Sequence, residues 1–195
     1  MVKGSTVLGT YFLKIISSDT VNNEQLRLMV ASDLEGVLKL RNHPEVRRYM
    51  FTQHEISIEE HALWFEMASH NQGVSLLIFD VDKVCMGFVQ LKKTNEPGVV
   101  SWGFYVTPDA PKGMGRRLGN AALSRVFEVE NFHKLCGQAL DYNQPSIDFH
   151  KSLGFTQESV LQRQHLIGEK YHDLICFGLN KTEWSKFKKY KGMAR

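Results

Sequence analysis

The sequence has no uninterrupted apolar run of the roughly 18 residues that a membrane-spanning helix needs, so a bilayer-embedded protein is not expected. Its early apolar segment, Val7 to Ile16, is broken by Lys14 and lacks a small-residue cleavage pattern, which makes a cytoplasmic protein without a secretion signal the expectation. Cysteine is scarce. Cys85, Cys136 and Cys176 are odd in number, form no CxxC and sit among apolar residues, which suits buried free thiols better than nucleophiles or metal ligands. The eight histidines show no HExxH or comparable spacing, so no metal is expected. Neither GxxxxGK[ST] nor GxGxxG occurs, which removes the nucleoside-triphosphate and dinucleotide fingerprints.

Positive charge is also missing from most of the chain. The net charge is +3, but Lys181 to Arg195 alone holds six Lys/Arg against Glu183, so the rest is slightly acidic. A nucleic-acid role would rest on that tail, and such tails are more often solvated than functional, so no nucleic-acid partner is expected. No internal repeat, low-complexity segment or linker interrupts the 195 residues, a length that suits one well-cored domain.

The chain is organised around Val99 to Phe127. A β-type run (Val99, Val100, Trp102, Phe104, Tyr105, Val106) breaks at Pro108 and Pro111, crosses Gly113 and Gly115, and turns helical with Met114, Leu118, Ala121, Ala122, Val126 and Val129 in i, i+3, i+4 register. Strand, glycine loop and helix aim free backbone N–H groups and the positive end of the helix dipole at one spot, a site for a phosphate. Two glycines before a helix can equally be a tight turn. Arg116 and Arg117 favour the anion, because cations in a first helical turn oppose the dipole.

In chain order, residues 1–24 are read as an extension with a strand-like TYFLKII and a polar loop, and Leu26 to Ala31 alternates as a strand. Ser32-Asp-Leu-Glu35 and Ser57-Ile-Glu-Glu60 are capping boxes, the first opening a helix through Arg41 that Pro44 stops, the second a helix to about His70 with His61, Trp64, Phe65 and Ala68 on one face. Val74 to Phe79, Val84 to Lys92 and Val99 to Val106 form an antiparallel meander through Asp82-Lys83 and Asn95-Glu-Pro-Gly98. Leu135 to Leu140 is a further strand. Pro145 and Gly154 bound a helix from Ser146 to Leu153, and two late strands, Val160 to Ile167 and Tyr171 to Leu179, flank Gly168-Glu-Lys170. The fold class is α/β (α+β), a single domain with a mixed sheet.

The element order, the glycine loop, the strand ending Asp141-Tyr-Asn143 and the following Ser146-Ile-Asp-Phe149-His150-Lys-Ser-Leu-Gly154-Phe155 together resemble the Gcn5-related N-acetyltransferases. The likeness spans about Leu26 to Trp184, placing the acetyltransferase domain at residues 25–184 and a basic tail at 185–195. Arg41-Asn-His-Pro44, Tyr49-Met50, Ile56, His61-x-x-Trp64 and Tyr171-His-Asp173 are similar to the branch that acetylates UDP-4-amino-4,6-dideoxy-N-acetyl-altrosamine in pseudaminic acid synthesis, which decorates flagellin. Ribosomal-protein N-acetyltransferases share the hairpin and the closing Glu183-Trp184.

The resemblance implies a mostly antiparallel sheet, splayed between its central strands and flanked by helices, and direct acetyl transfer from acetyl-CoA to an amine in one ternary complex. Amides of Gly113, Met114, Gly115 and Arg116 would hold the pyrophosphate, Phe104, Tyr105 and Val106 the pantetheine arm, with Asn143 bonding and Phe149 lining it. Asn143 can also be only a helix cap. His150, where the family often has Tyr, would protonate the leaving thiolate; a surface histidine is the alternative reading. Arg41, His61, Lys92 and Tyr105 would surround a UDP-linked aminosugar, with Met50 and Trp64 as an apolar patch, although His61 and Trp64 also suit core packing.

Two positions depart from the family pattern. Ala110 replaces the Gln or Arg that opens the glycine motif, and Ser101 and Gln138 stand where relatives place a carboxylate base, leaving a water relay, Asp141, Glu55 or His61 as substitutes. Protein or polyamine N-acetylation stays open, although a polyamine enzyme should cluster acidic residues and only Glu55, Glu59, Glu60 and Glu66 are present, scattered. A non-catalytic CoA-binding sensor is the reading from another class. The sequence carries no direct sign of oligomeric state, and a homodimer stays open.

Overall fold

The meander forms where the sequence places its turns: Asp82 and Lys83 take φ of 50° and 66°, the paired left-handed geometry of a two-residue hairpin, and Gly98 takes 76°. The structure, a computed structural model, describes residues 23–193, so the strand-like TYFLKII lies outside the described residues. Seven strands make one sheet: β1 (Glu24–Leu28), β2 (Val74–Val81), β3 (Val84–Lys93), β4 (Val99–Val106), β5 (Lys134–Leu140), β6 (Thr156–Ile167) and β7 (Lys170–Asn180). Their order is β1-β2-β3-β4-β5-β7-β6, and all neighbours are antiparallel except β4 and β5. Those two pair only from Val99–Lys134 to Ser101–Cys136, and beyond Ser101 the sheet opens.

Helices cover both faces unequally. On one face α4 (Met114–Ser124), which runs on through a π-helical turn over Arg125–Val129, packs with α5 (Gln144–Ser152) and α6 (Lys181–Met193) over Leu77, Phe79, Trp102, Leu135, Phe177 and Leu179. On the other, α1 (Leu34–Asn42) and α3 (Ile58–Ser69) cover the β1–β4 half around Ile78 and Phe88. Each fully buried large side chain contributes about 1.5–3 kcal/mol, so these two clusters fix which face each helix takes.

Three local readings change. The strand expected over Leu26–Ala31 ends at Leu28, because Asp33 accepts the Val30 N–H (2.8 Å) and tightens Ala31–Asp33 into a 3-10 turn. Ser32 is therefore not the cap; Asp33 holds the turn, forked by Arg27 at 2.7 and 2.8 Å, while Arg27 Nε reaches Asp80 at 2.7 Å. Pro44 does more than stop α1: it opens α2 (Pro44–Arg47), capped by His43 Nδ1 accepting the Glu45 N–H. The second capping box holds, with Ser57 Oγ accepting from Glu60 N (3.2 Å). The basic tail is helical through Met193, anchored by buried Trp184. The three thiols are free and half-buried rather than buried.

Candidate active site

Gly113 takes φ of 92° as the N-cap of α4, and a Cβ there would meet nothing within 4 Å, so the main chain faces open space. The first intrahelical bond runs from Arg117 N to Gly113 O (3.2 Å), which leaves the N–H groups of Gly115 and Arg116 ahead of the ladder and able to receive an anion. Met114 does not join them. Its N–H goes to Pro111 O (3.1 Å) and its side chain is buried. Arg117 Nε pairs with Glu24 of β1 at 2.6 Å while its Nη2 is buried without a partner among the described residues, and Arg116 is exposed.

From this helix end a cleft of about 280 Å³ runs between the end of β4 and α5, lined by Phe104, Tyr105, Val106, Gly115, Asn143 and Phe149 with Tyr49 and Ser146. Asn143 serves the helix as well as the cleft, since its Oδ1 accepts the Ser146 N–H (3.1 Å) as a cap.

A second cavity, about 320 Å³, lies under α3 on the other side of β4. Arg41, Met50, His61, Trp64 and Tyr105 line it together, with Ile56, Phe88 and Glu60. His61 is 3% exposed and stacks on Trp64 at 4.9 Å, yet among the described residues its Nε2 has no partner; Arg41 Nη1 is likewise buried and unpartnered among them, while Nη2 reaches Thr52 O at 2.6 Å. Burial, then the nearby Arg41, pushes the His61 pKa down, and burial lowers that of Arg41. Burial raises the Tyr105 phenol, which stays protonated. Glu60 was legible only as a capping residue. Its place one turn before Trp64 is the signal for the cavity, and its carboxylate takes His54 Nε2 at 3.0 Å.

Lys92 is not in that cavity. It lies farther along β3, exposed, on a groove of about 780 Å³ over the β4–β5 opening, with Ser101, Gln138, Cys136 and Cys176. Ser101 Oγ bonds to Lys92 O (3.2 Å). Of the substitute bases, Asp141 is held by His172 Nδ1 (2.8 Å) and Glu55 pairs with Arg47 (3.4 Å); neither lines these cavities, whereas His61 does.

The geometry corrects the assignment of His150 as the acid. Its face of α5 points into the core: it is 1% exposed, stacks on Phe177 at 4.6 Å, and receives the Trp102 indole N–H at Nε2 (3.1 Å). Indole nitrogen only donates, so Nε2 carries no proton, and Nδ1–H goes to Ser146 O (2.7 Å). Burial pushes its pKa down to about 4. A neutral ring with both nitrogens engaged has no proton to give.

Residues 25–156 match the family model described as Acetyltransferase (GNAT) domain. The chain belongs to the GNAT acetyltransferase family. It is an N-acetyltransferase that uses acetyl-CoA, and its seven-stranded splayed sheet is the family's fold. The acetyltransferase is 25% identical over 152 residues to spermidine N(1)-acetyltransferase of Vibrio cholerae, covering 76% of this chain and 88% of that one. It is 22% identical over 144 residues to acetyltransferase PseH of Campylobacter jejuni, covering 74% and 85%. The crystal structure of the Vibrio cholerae spermidine N-acetyltransferase with CoA and spermine superposes with a TM-score of 0.76 at 22% identity, over 83% of this chain and 98% of that one. Among the described residues no group of three or more His, Cys, Asp or Glu is placed to hold a metal, and no helix is long and apolar enough to cross a membrane.

Proposed function

We propose that this N-acetyltransferase acts on the amino group of a nucleotide-linked aminodeoxysugar of the UDP-4-amino-4,6-dideoxy-N-acetyl-altrosamine type. The observation that carries the reading is the cavity beneath α3. Its walls are largely apolar and aromatic, and among the described residues its two buried, unpartnered polar atoms are Arg41 Nη1 and His61 Nε2. A fixed guanidinium seeks an acceptor-rich or anionic group, and a buried polar atom left unpaired costs about 1–3 kcal/mol until a ligand satisfies it. A polyamine brings several positive charges. The cavity offers it one carboxylate, Glu60, already engaged with His54. The second reading, a polyamine, is favoured by the similarity to the spermidine enzyme.

On the co-substrate side, the N–H groups of Gly115 and Arg116 hold the pyrophosphate, and the pantetheine arm lies in the cleft of Phe104, Tyr105, Val106, Asn143 and Phe149. Acetyl-CoA supplies the acetyl group and leaves as the thiol. Met50 and Phe104 line the cleft, the cavity and the groove alike, so the amine meets the thioester beside them.

The test is turnover with the UDP-aminosugar and with spermidine in parallel, followed by thiol release. The sugar should be used with the higher kcat/KM, and Arg41→Ala should raise its KM about 10- to 100-fold, the loss of one charge-assisted contact of about 1.5–3 kcal/mol, with the acetyl-CoA KM nearly unchanged. Because Arg41 also holds Thr52, Arg41→Lys serves as the variant that keeps the charge and loses the fork. Preference for spermidine, with Arg41→Ala indifferent, overturns the proposal.

A further inference from the structure

With His150 locked in the core, the departing thiolate needs another source of its proton. The cleft between β4 and α5 opens into the groove over the β4–β5 gap, and five side chains line both: Tyr49, Met50, Phe104, Asn143 and Ser146. A pantetheine arm held in the cleft, as proposed above, would bring its sulfur toward these five, and only Tyr49 among them carries an ionisable proton.

Tyr49 is built for the purpose. It follows α2, and its ring stacks on Tyr142 (centroids 6.2 Å, 27°); the Tyr142 hydroxyl donates to Arg48 O (3.0 Å) and accepts from Gln53 Nε2 (2.9 Å). The phenol is thus strapped across the gap, tied from the α2 side of the sheet to the β5–α5 turn. Arg48 Nη2 lies 2.8 Å from Tyr49 Oη, and its guanidinium sits 4.7 Å from the ring centroid. A guanidinium has donors only, so the phenol oxygen is the acceptor in that bond and its own hydrogen remains for another partner. The same cation offsets the charge left on the oxygen when that hydrogen departs.

We infer that Tyr49 is the catalytic acid of this acetyltransferase, delivering its phenol proton to the CoA sulfur from the strap over the sheet opening. The amine nitrogen bonds to the acetyl carbonyl carbon, the C–S bond breaks with its electron pair on sulfur, and the phenol proton passes to that sulfur. The proton shed by the acylated nitrogen goes to water, from which the phenolate is reprotonated; one N–H and one thioester become an amide and a thiol. The inference rests on the cleft as the pantetheine channel and is independent of which amine is acetylated.

The experiment compares Tyr49→Phe, Tyr105→Phe and His150→Phe with the parent enzyme, using acetyl-CoA with spermidine and with the UDP-aminosugar, under single-turnover conditions. Tyr49→Phe should lower the rate by roughly 10²-fold or more on whichever amine is used, with CoA affinity by calorimetry within a few-fold. The loss of rate at alkaline pH that deprotonating a phenol causes should vanish in Tyr49→Phe and persist in His150→Phe. A structural role for Tyr49 would not erase that limb. Parental single-turnover rates in Tyr49→Phe, or an alkaline limb lost in Tyr105→Phe and kept in Tyr49→Phe, would overturn the assignment. Loss of CoA binding in Gly115→Ala tests the channel separately, so the two failures are distinguishable.

Discussion

At the scale of single residues, His150 shows what spacing can and cannot reveal. Seven residues after Asn143 correctly places it two turns along α5, but which way that face looks depends on Trp102 and Gly137, distant in the chain. A Cβ on Gly137 would lie 2.3 Å from His150 Nε2, so the absence of a side chain there is what admits the ring. The buried neutral imidazole has a consequence for stability. Its pKa falls from an ordinary 6.5 to about 4 on folding, so the unfolded chain binds the extra proton more readily. This group's contribution is complete above about pH 6.5 and is lost as pH falls through 4, about 3 kcal/mol in all. Urea denaturation at pH 7 and 4.5 should show the parent losing stability on acidification. His150→Phe should be weaker at pH 7 by about 1–3 kcal/mol, because the Trp102 N–H loses its acceptor, and should lose less between the two pH values. An unchanged pH dependence in the variant would remove His150 from the account.

Elements were more legible than residues where the signal was local. The meander, the Ser57 cap, Pro145 in the first turn of α5 and Gly154 at φ 92° after it all read directly from neighbouring positions. The failure at Ser32 is equally physical: Asp33, one residue on, is recruited by Arg27 and by the Val30 N–H, and Arg27 is itself fixed by Asp80 on β2. That network joins residues about fifty positions apart, beyond any capping pattern. At the α4 loop the spacing of the glycines marks the helix start but not which amides are free: the Met114 N–H is taken by Pro111 O, while those of Gly115 and Arg116 stand ahead of the helical ladder. A clean probe exists there, because a Cβ at Gly115 would meet Phe149 at 3.6 Å and Val106 at 3.8 Å, ordinary contact distances. Gly115→Ala should therefore fold with a Tm within a few degrees of the parent and bind CoA at least about tenfold more weakly, since the added methyl projects into the cleft that Gly115 lines. Unchanged CoA affinity by calorimetry would put the pyrophosphate elsewhere.

At the scale of the molecule, the strand order was the least legible feature, because β7 inserts between β5 and β6 and only three residue pairs join β4 to β5. Alternation identifies strands but carries no record of their neighbours. The consequence of that short junction is mechanical: the two halves of the sheet share the packing of α4 and α5 beneath them, and beyond Ser101 no backbone ladder holds β4 against β5. A ligand arm lying along β4 and against α5 would contact both halves and stabilise the assembly by binding the folded state alone, about 2.7 kcal/mol at a hundredfold excess over its dissociation constant. Hydrogen exchange with and without CoA should then show slowed exchange in peptides covering 102–106 and 142–150, the two walls of the cleft, as well as at the start of α4. Protection confined to the α4 loop would mean that CoA holds only by its phosphates. Protection on the β1 and β2 side, far from the opening, would mean that the arm takes another path.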